Sequence, residues 1–249
     1  AAQPVLPEMP KVEEVQPPPR PPVDVQVLVA PAGEGAKITF TWPEPVAAAA
    51  FRHGDALYLA FDEPTNSLAA LFADARIARL GQAAKVELPD STVIRIVEAK
   101  PLGVSLAAAG RSWIVDIAPG AKAAPRAPIE QRRETLADGA ASLLLTTSKP
   151  GRLVRLTVPG SGEQLQIVPV RPAGQGVAEE VAWPEFKLLA THQGVAVAGR
   201  VDAATIESLD QGVVVTTRPQ GALSPIAEAP AASEAAPAEA PPAEAPAAE

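Results

Sequence analysis

Cysteine is absent from this 249-residue chain, which removes disulfides, zinc–thiolate sites and thiol nucleophiles together. Aromatic residues make up 4% of it and histidine occurs twice, at His53 and His192. A core must therefore come from Val, Leu, Ile and Ala, and alanine-rich cores are thin and modestly stable. No apolar run reaches the roughly 18 residues that cross a bilayer as a helix, so no membrane span is expected. The 21 basic residues face 29 acidic ones, a net charge of −8, with no basic stripe. Nucleic-acid binding needs clustered Lys/Arg to displace counterions, so nucleic acid is not an expected partner. The opening Ala1-Ala2-Gln3-Pro4 lacks an initiator Met and an apolar leader. That fits an exported, periplasmic protein whose signal peptide has been cleaved, or a fragment of a larger envelope protein.

What is present is concentrated unevenly. Residues 1–22 hold eight prolines and residues 218–249 hold seven, so 15 of the 29 prolines sit in 54 residues. Pro17-Pro18-Pro19-Arg20-Pro21-Pro22 favours polyproline II and reads as a disordered, semi-rigid spacer. The other end carries Glu228, Glu234, Glu239, Glu244 and Glu249 against Arg218, a net of −4, and reads as a second disordered linker.

Between the tails the pattern is mainly β. Val25 to Ala30, Lys37 to Trp42, Val46 to Phe51 and Leu57 to Phe61 read as strands. The last two are joined through His53-Gly54-Asp55 as a hairpin. Leu68, Leu71, Phe72, Ala75 and Arg76 recur at three-to-four spacing and predict one short helix over 65–80. Thr65 or Asn66 would lie near its N-cap and Gly81 at its end. Further strands follow to Ile117. The Pro/Gly/Ala stretch Pro119 to Pro128 marks a boundary, and strand-like segments resume from Ser142 to Thr217. The expected architecture is two small β-sandwich-like units with one short helix. A first domain spans 23–118, a linker 119–138 and a second β domain 139–217, with the disordered tails outside. Trp42-Pro43-Glu44 recurs as Trp183-Pro184-Glu185. With one residue deleted, Gly54, Ala56 and Asp62 fall opposite Gly194, Ala196 and Asp202. The echo reads either as a duplicated β unit or as chance in a chain rich in Pro, Ala and Glu.

From Lys37 to Asp62 the text KITFTWPEPVAAAAFRHGDALYLAFD resembles AMIN-type domains of bacterial cell envelopes. Those show a strand, a proline-containing break, a second strand, a Gly-Asp turn and a closing hydrophobic strand. Val93 to Ile117, ending Arg111-Ser112-Trp113-Ile114-Val115-Asp116-Ile117, is compatible with the remaining strands. Similar patterns occur near the N-termini of alphaproteobacterial tetratricopeptide-repeat envelope proteins, where a Pro/Ala/Glu linker precedes the repeats. The resemblance covers about 80 residues. It implies a periplasmic β-sandwich that contacts peptidoglycan or an envelope protein, and it carries over no ligand-binding residue.

Chemistry-bearing constellations are sparse. His53 and His192 each precede or neighbour a hairpin glycine and read as solvated-turn residues. No H-x-H or H-E-x-x-H spacing is present, so no metal is expected. No G-x-S-x-G elbow occurs, and Ser161 between Gly160 and Gly162 reads as turn chemistry. Gly33-Glu34-Gly35 and Gly174-Gln175-Gly176 lack the setting of a phosphate loop. The candidate binding residues are a cationic rim of Arg52, Arg76 and Arg79, together with Trp42 and Trp183. Residues ahead of proline are held in extended backbone, so both tryptophans read as core or edge packing before sugar-stacking platforms. The expected function is a non-enzymatic interaction or scaffold module of the envelope, without catalytic residues or cofactors. The alternatives are a peptidoglycan- or carbohydrate-binding module and a hydrolase with an unrecognised site.

Overall fold

The computed structural model describes residues 20–120, 125–135, 141–184, 186–199 and 204–217. The remaining parts of both tails, and Glu185 and Asp202 of the echo, lie outside the described residues. The fold is mainly β, as the alternation predicts. Its first sandwich is built from β1 (Gln26–Ala32), β2 (Gly35–Thr41), β3 (Ala48–His53), β4 (Ala56–Phe61), α1 (Ala69–Phe72), α2 (Ala75–Leu80), β5 (Gly81–Val86), β6 (Thr92–Glu98), β7 (Leu102–Ala109) and β8 (Ser112–Pro119). Sheet one has the order β1-β2-β8-β7, and sheet two contains β3-β4-β6-β5. Inward residues alternate along each strand: Ile38 and Phe40 on β2, Val115 and Ile117 on β8, Leu57, Leu59 and Phe61 on β4. This is the period-two burial of packed sheets.

The second sandwich comprises β9 (Ala127–Pro128), β10 (Glu130–Thr135), β11 (Ala141–Thr146), β12 (Val154–Thr157), β13 (Gln164–Val168), β14 (Gln175–Gly176), β15 (Val181–Ala182), β16 (Phe186–Leu188), β17 (Thr191–Gln193), β18 (Val195–Gly199), β19 (Ala204–Leu209) and β20 (Gly212–Thr217). Its sheets run β10-β11-β20-β19 and β12-β13-β18-β16-β15, with β14 and β9 as a small parallel pair. Matching β1-β2-β8-β7 to β10-β11-β20-β19, and β3-β4-β6-β5 to β12-β13-β18-β16, gives one strand order twice. The tryptophan echo does not follow that register. Trp42 comes directly after β2, whereas Trp183 lies between β15 and β16. The topological counterpart of the β3–β4 hairpin is β12–β13.

The two sandwiches are stacked face to face. Every residue of β4 is buried: Leu57, Leu59 and Phe61 fill the first sandwich, while Ala56, Tyr58 and Ala60 point the other way. On that second face they join Ala49, Phe51 and Val93, and pack against Val154, Leu156, Leu165, Ile167, Ala196 and Ala198 of the second sandwich. A further core of Leu143, Leu145, Val195, Val197, Phe186, Val213 and Val215 then fills the second sandwich. Four sheets thus lie in layers around three cores. Ala49, Ala56, Ala60, Ala196 and Ala198 sit at the middle layer, where small side chains on facing strands make the packing thin.

The chain stitches this joint. β17 leaves the second sandwich to pair antiparallel with β3, extending sheet two to β17-β3-β4-β6-β5, and β18 continues in the second sandwich. Gly194 makes the crossing. Its φ is +74°, and a Cβ there would lie 2.8 Å from both Ala49 Cβ and the Val168 carbonyl oxygen, so only glycine fits.

Two sequence expectations are corrected. The helix over 65–80 is two short helices, because Asp74 interrupts it and caps α2, accepting from the Arg76 N–H at 2.8 Å. A short carboxylate side chain satisfies a free helix N–H better as a cap than within a helix. Thr65 is used elsewhere: its hydroxyl donates to the Val23 carbonyl at 2.6 Å. Gly81 does follow α2. The linker over 119–138 contains β9 and the six-residue β10. All six β10 residues are exposed, so this strand has no apolar alternation to read. Its charges suit a sheet edge, where they discourage further strand pairing.

The shared middle layer couples the sandwiches energetically. Ile167→Ala is expected to cost about 2–5 kcal/mol. In urea unfolding, tryptophan fluorescence and far-ultraviolet circular dichroism should still report one coincident transition. Separate transitions would show that the layers unfold independently.

Candidate functional site

The most distinctive surface lies on the first sandwich, around α2. Asp74 starts this helix, and its turn spacing places Arg76 and Arg79 on one side. They line a cleft of about 360 Å³ with Lys100 from the β6–β7 connection, Glu34 from the β1–β2 turn, and Pro31 and Pro119. Three cations thus face one carboxylate. Arg76 is held in place, its Nη1 donating to Asp74 Oδ2 at 2.9 Å and to the Val29 carbonyl at 3.3 Å. Arg79 and Lys100 form no salt bridge among the described residues and carry the surplus positive charge.

A second groove, about 540 Å³, adjoins the first through Ala99. Phe72, Ile77, Gly81, Gln82 and Ala83 contribute to it. β5 is the outermost strand of its sheet, and the groove crosses from it onto Val97 and Glu98 of the paired strand β6. Phe72 is 38% exposed and is one of few large apolar side chains so placed among the described residues.

Arg76 and Arg79 line one cleft that Arg52 does not line, although its partner Glu98 lines the adjoining groove. Arg52 is engaged by Glu98 through Nε–Oε1 at 2.8 Å and Nη2–Oε2 at 2.5 Å. This fork clamps the β3 end to β6, and the Glu98 side chain is only 4% exposed. Trp42 and Trp183 are buried and available to no ligand face. Trp42 packs on Phe61 at 5.1 Å and Trp183 on Phe186 at 4.8 Å, with the Arg133 guanidinium 5.9 Å over the Trp183 ring. Trp113 is buried too, donating Nε1–H to the Val46 carbonyl at 3.0 Å.

The histidines depart from the solvated-turn reading. His192 is buried within β17. His53 closes β3, and its Nε2 lies 2.6 Å from the Glu163 carboxylate in the second sandwich. This pair bridges the sandwiches and lines neither of the two grooves around α2. Gly174-Gln175-Gly176 is committed to the fold: the Gly174 N–H donates to Gln193 Oε1 at 2.7 Å, and the Gln175 carbonyl accepts from the Gly194 N–H at 2.7 Å. Among the described residues no three His, Asp or Glu side chains are grouped as metal ligands, and no helix is long and apolar enough to cross a membrane.

Asp62 is the buried acid that sequence reading left without a role. It ends β4 at the joint, accepting from the Ala47 N–H at 2.8 Å, while Arg152 of the second sandwich donates to its carbonyl. Burial pushes the carboxyl above its ordinary value of 3.8, and the N–H groups of Ala47 and Arg152 only partly oppose that shift. Lys100 and Phe72 were also missed. Nothing local marks them, because their placement depends on the β6–β7 turn and on the break between α1 and α2.

No protein-family model matches the chain, and no curated protein matches it.

Two measurements test these assignments. A raised folded-state value makes Asp62 stabilising below pH 3.8, and that contribution is lost as pH rises through the raised value. The stability of wild type relative to Asp62→Asn should therefore fall as pH is raised from about 4, and a flat difference would refute the burial effect. Arg52→Ala strands the Glu98 carboxylate and is expected to cost about 1–3 kcal/mol. Arg52→Ala/Glu98→Ala should recover part of that loss in denaturant titrations.

Proposed function

We propose that this chain is a non-enzymatic interaction module of the bacterial cell envelope, working in the periplasm and holding a partner protein on its first sandwich. The observation that carries this reading is the pair of adjoining grooves around α2, one of which reaches β5. An unpaired strand edge, the exposed Phe72 ring and the surplus cations Arg79 and Lys100 lie next to one another there. Strand edges bind extended peptides through main-chain hydrogen bonds, and neighbouring pockets select side chains. An acidic, extended segment with an apolar residue for the Phe72 groove fits this chemistry. The envelope setting rests on the resemblance over Lys37 to Asp62 and on the proline-rich ends.

The test is a photoreactive amino acid placed at Gln82 of the full chain in envelope extracts. A discrete cross-linked protein is expected from Gln82 and not from the same probe at Glu207, which lies on β19. Arg79→Gln/Lys100→Gln should weaken the cross-link, with high salt having the same effect. Equal cross-linking from both positions would overturn the reading. So would sedimentation of the chain with purified sacculi through this groove, or hydrolysis of sacculi by the purified chain.

A further inference from the structure

The seam between the sandwiches is made by backbone. Ala48 N–H donates to the Val170 carbonyl at 3.2 Å, and Val170 N–H returns to the Ala48 carbonyl at 2.9 Å. Beside this seam opens a cleft of about 340 Å³ with walls from both sandwiches. Pro45, Arg111 and Trp113 come from the first, and Lys149, Arg171 and Pro172 from the second. Its lining contains three cations and no carboxylate. Arg111 donates to the Pro43 carbonyl at 2.8 Å. Among the described residues none of the three cations forms a salt bridge. In a chain of net charge −8 this is a local field of opposite sign, focused between low-dielectric walls.

A second, independent feature falls on the same cleft. Lys149 has φ +51° and is the one non-glycine among the described residues in the left-handed region. Side chains disfavour that conformation, and the following Pro150 restricts its backbone further. Glycine would adopt it freely. The surroundings hold the lysine there: Arg171 N–H donates to the Lys149 carbonyl at 3.3 Å, and Pro150 bridges to Val170. Strain maintained at a charged residue lining a cleft is a mark of a working site.

We propose that this inter-sandwich cleft binds an oxyanion, a phosphate or carboxylate group carried by a ligand that sits between Pro45 and Pro172. The backbone that carries the cations is set before the ligand arrives, because the Ala48–Val170 pair and the Lys149–Arg171 bond fix both walls. Arg111 and Arg171 supply forked N–H donors suited to either oxyanion, and Lys149 supplies a point charge. Because both sandwiches contribute, an occupied cleft also ties them together. This site is separate from the two grooves around α2.

Calorimetric titration of the full chain at low ionic strength tests it. Pyrophosphate forms one arm and citrate the other, so that phosphate and carboxylate ligands are told apart. Saturable binding is expected for at least one. Arg171→Gln and Lys149→Gly should each weaken it tenfold or more, whereas Arg155→Gln, an exposed arginine on β12, should not. Lys149→Gly should keep or raise the thermal midpoint while losing the anion, which separates a ligand-binding lysine from a structural one. Lys149→Asn, which tolerates the same backbone, serves as the second variant if the glycine chain fails to fold. Lack of saturable binding by wild type in both arms overturns the proposal, as does wild-type affinity in Arg171→Gln or in the folded Lys149 variant. The cross-link from Gln82 should be unaffected by these substitutions, so failure here leaves the β5 reading separately testable.

Discussion

Burial of the β3–β4–β6 sheet on both faces is the constraint from which the rest of the structure follows. A sheet in a two-layer sandwich has one dry face and one wet face. Here Phe51, Tyr58, Ala60 and Val93 would meet water if the second sandwich were absent, and with it they are covered. Covering that face puts two sandwiches into one stack and places Ala56, Ala60, Ala196 and Ala198 where thin packing is needed. It also decides which surfaces remain open. One face of the sheet meets β2 and β8, the other meets β13 and β18, and β17 closes the β3 edge. The β5 edge is left, and one of the two grooves reaches that strand at Gly81, Gln82 and Ala83.

Closing the β3 edge carries a polar cost, because a strand that switches sheets leaves backbone groups without regular partners. Side chains take over at this point. Gln193, fully buried, donates Nε2–H to the carbonyls of Val170 and Pro172 at 2.8 and 2.9 Å and accepts from Gly174 N–H. Thr191 accepts from Val177 N–H at 2.8 Å and donates to the Gly194 carbonyl at 2.6 Å. These bonds satisfy the loop backbone around the crossing. Together with Asp62 and the His53–Glu163 contact, they place most of the joint's polar chemistry at its margins and leave its centre to Ala, Val, Ile and Leu.

The strands of the first sandwich were legible because alternation and the Gly54-Asp55 turn are local signals. The stack was harder to see. Leu57, Leu59 and Phe61 alternate with Ala56, Tyr58 and Ala60, and small apolar residues on the second face look the same whether that face is weakly exposed or dry. The absence of any charge from 56 to 61 was the available clue. β10 falls inside the expected linker because an edge strand exposed on both faces has no hydrophobic period. The tryptophan echo suggested repetition in the wrong register, since the repeated feature is strand order and not the Trp-Pro-Glu text. Arg76 and Arg79 could be paired from helical spacing. Arg52 could not be assigned to Glu98 across 46 residues, nor could Lys100 be brought to the helix.

The two ends of the folded body differ in mechanical character. β1 is the outer strand of its sheet, with β2 as its one strand neighbour, while β20 lies between β11 and β19. They belong to the two outermost layers, separated by three interlayer gaps of about 10 Å each. Tension applied through the flanking segments would peel β1 away one hydrogen-bonded pair at a time, whereas β20 would have to slide against two neighbours at once. The folded body therefore resists load unequally at its two ends, and the bonds that tie Arg20 and Val23 to Asp90, Glu63, Pro64 and Thr65 must break before β1 itself is strained.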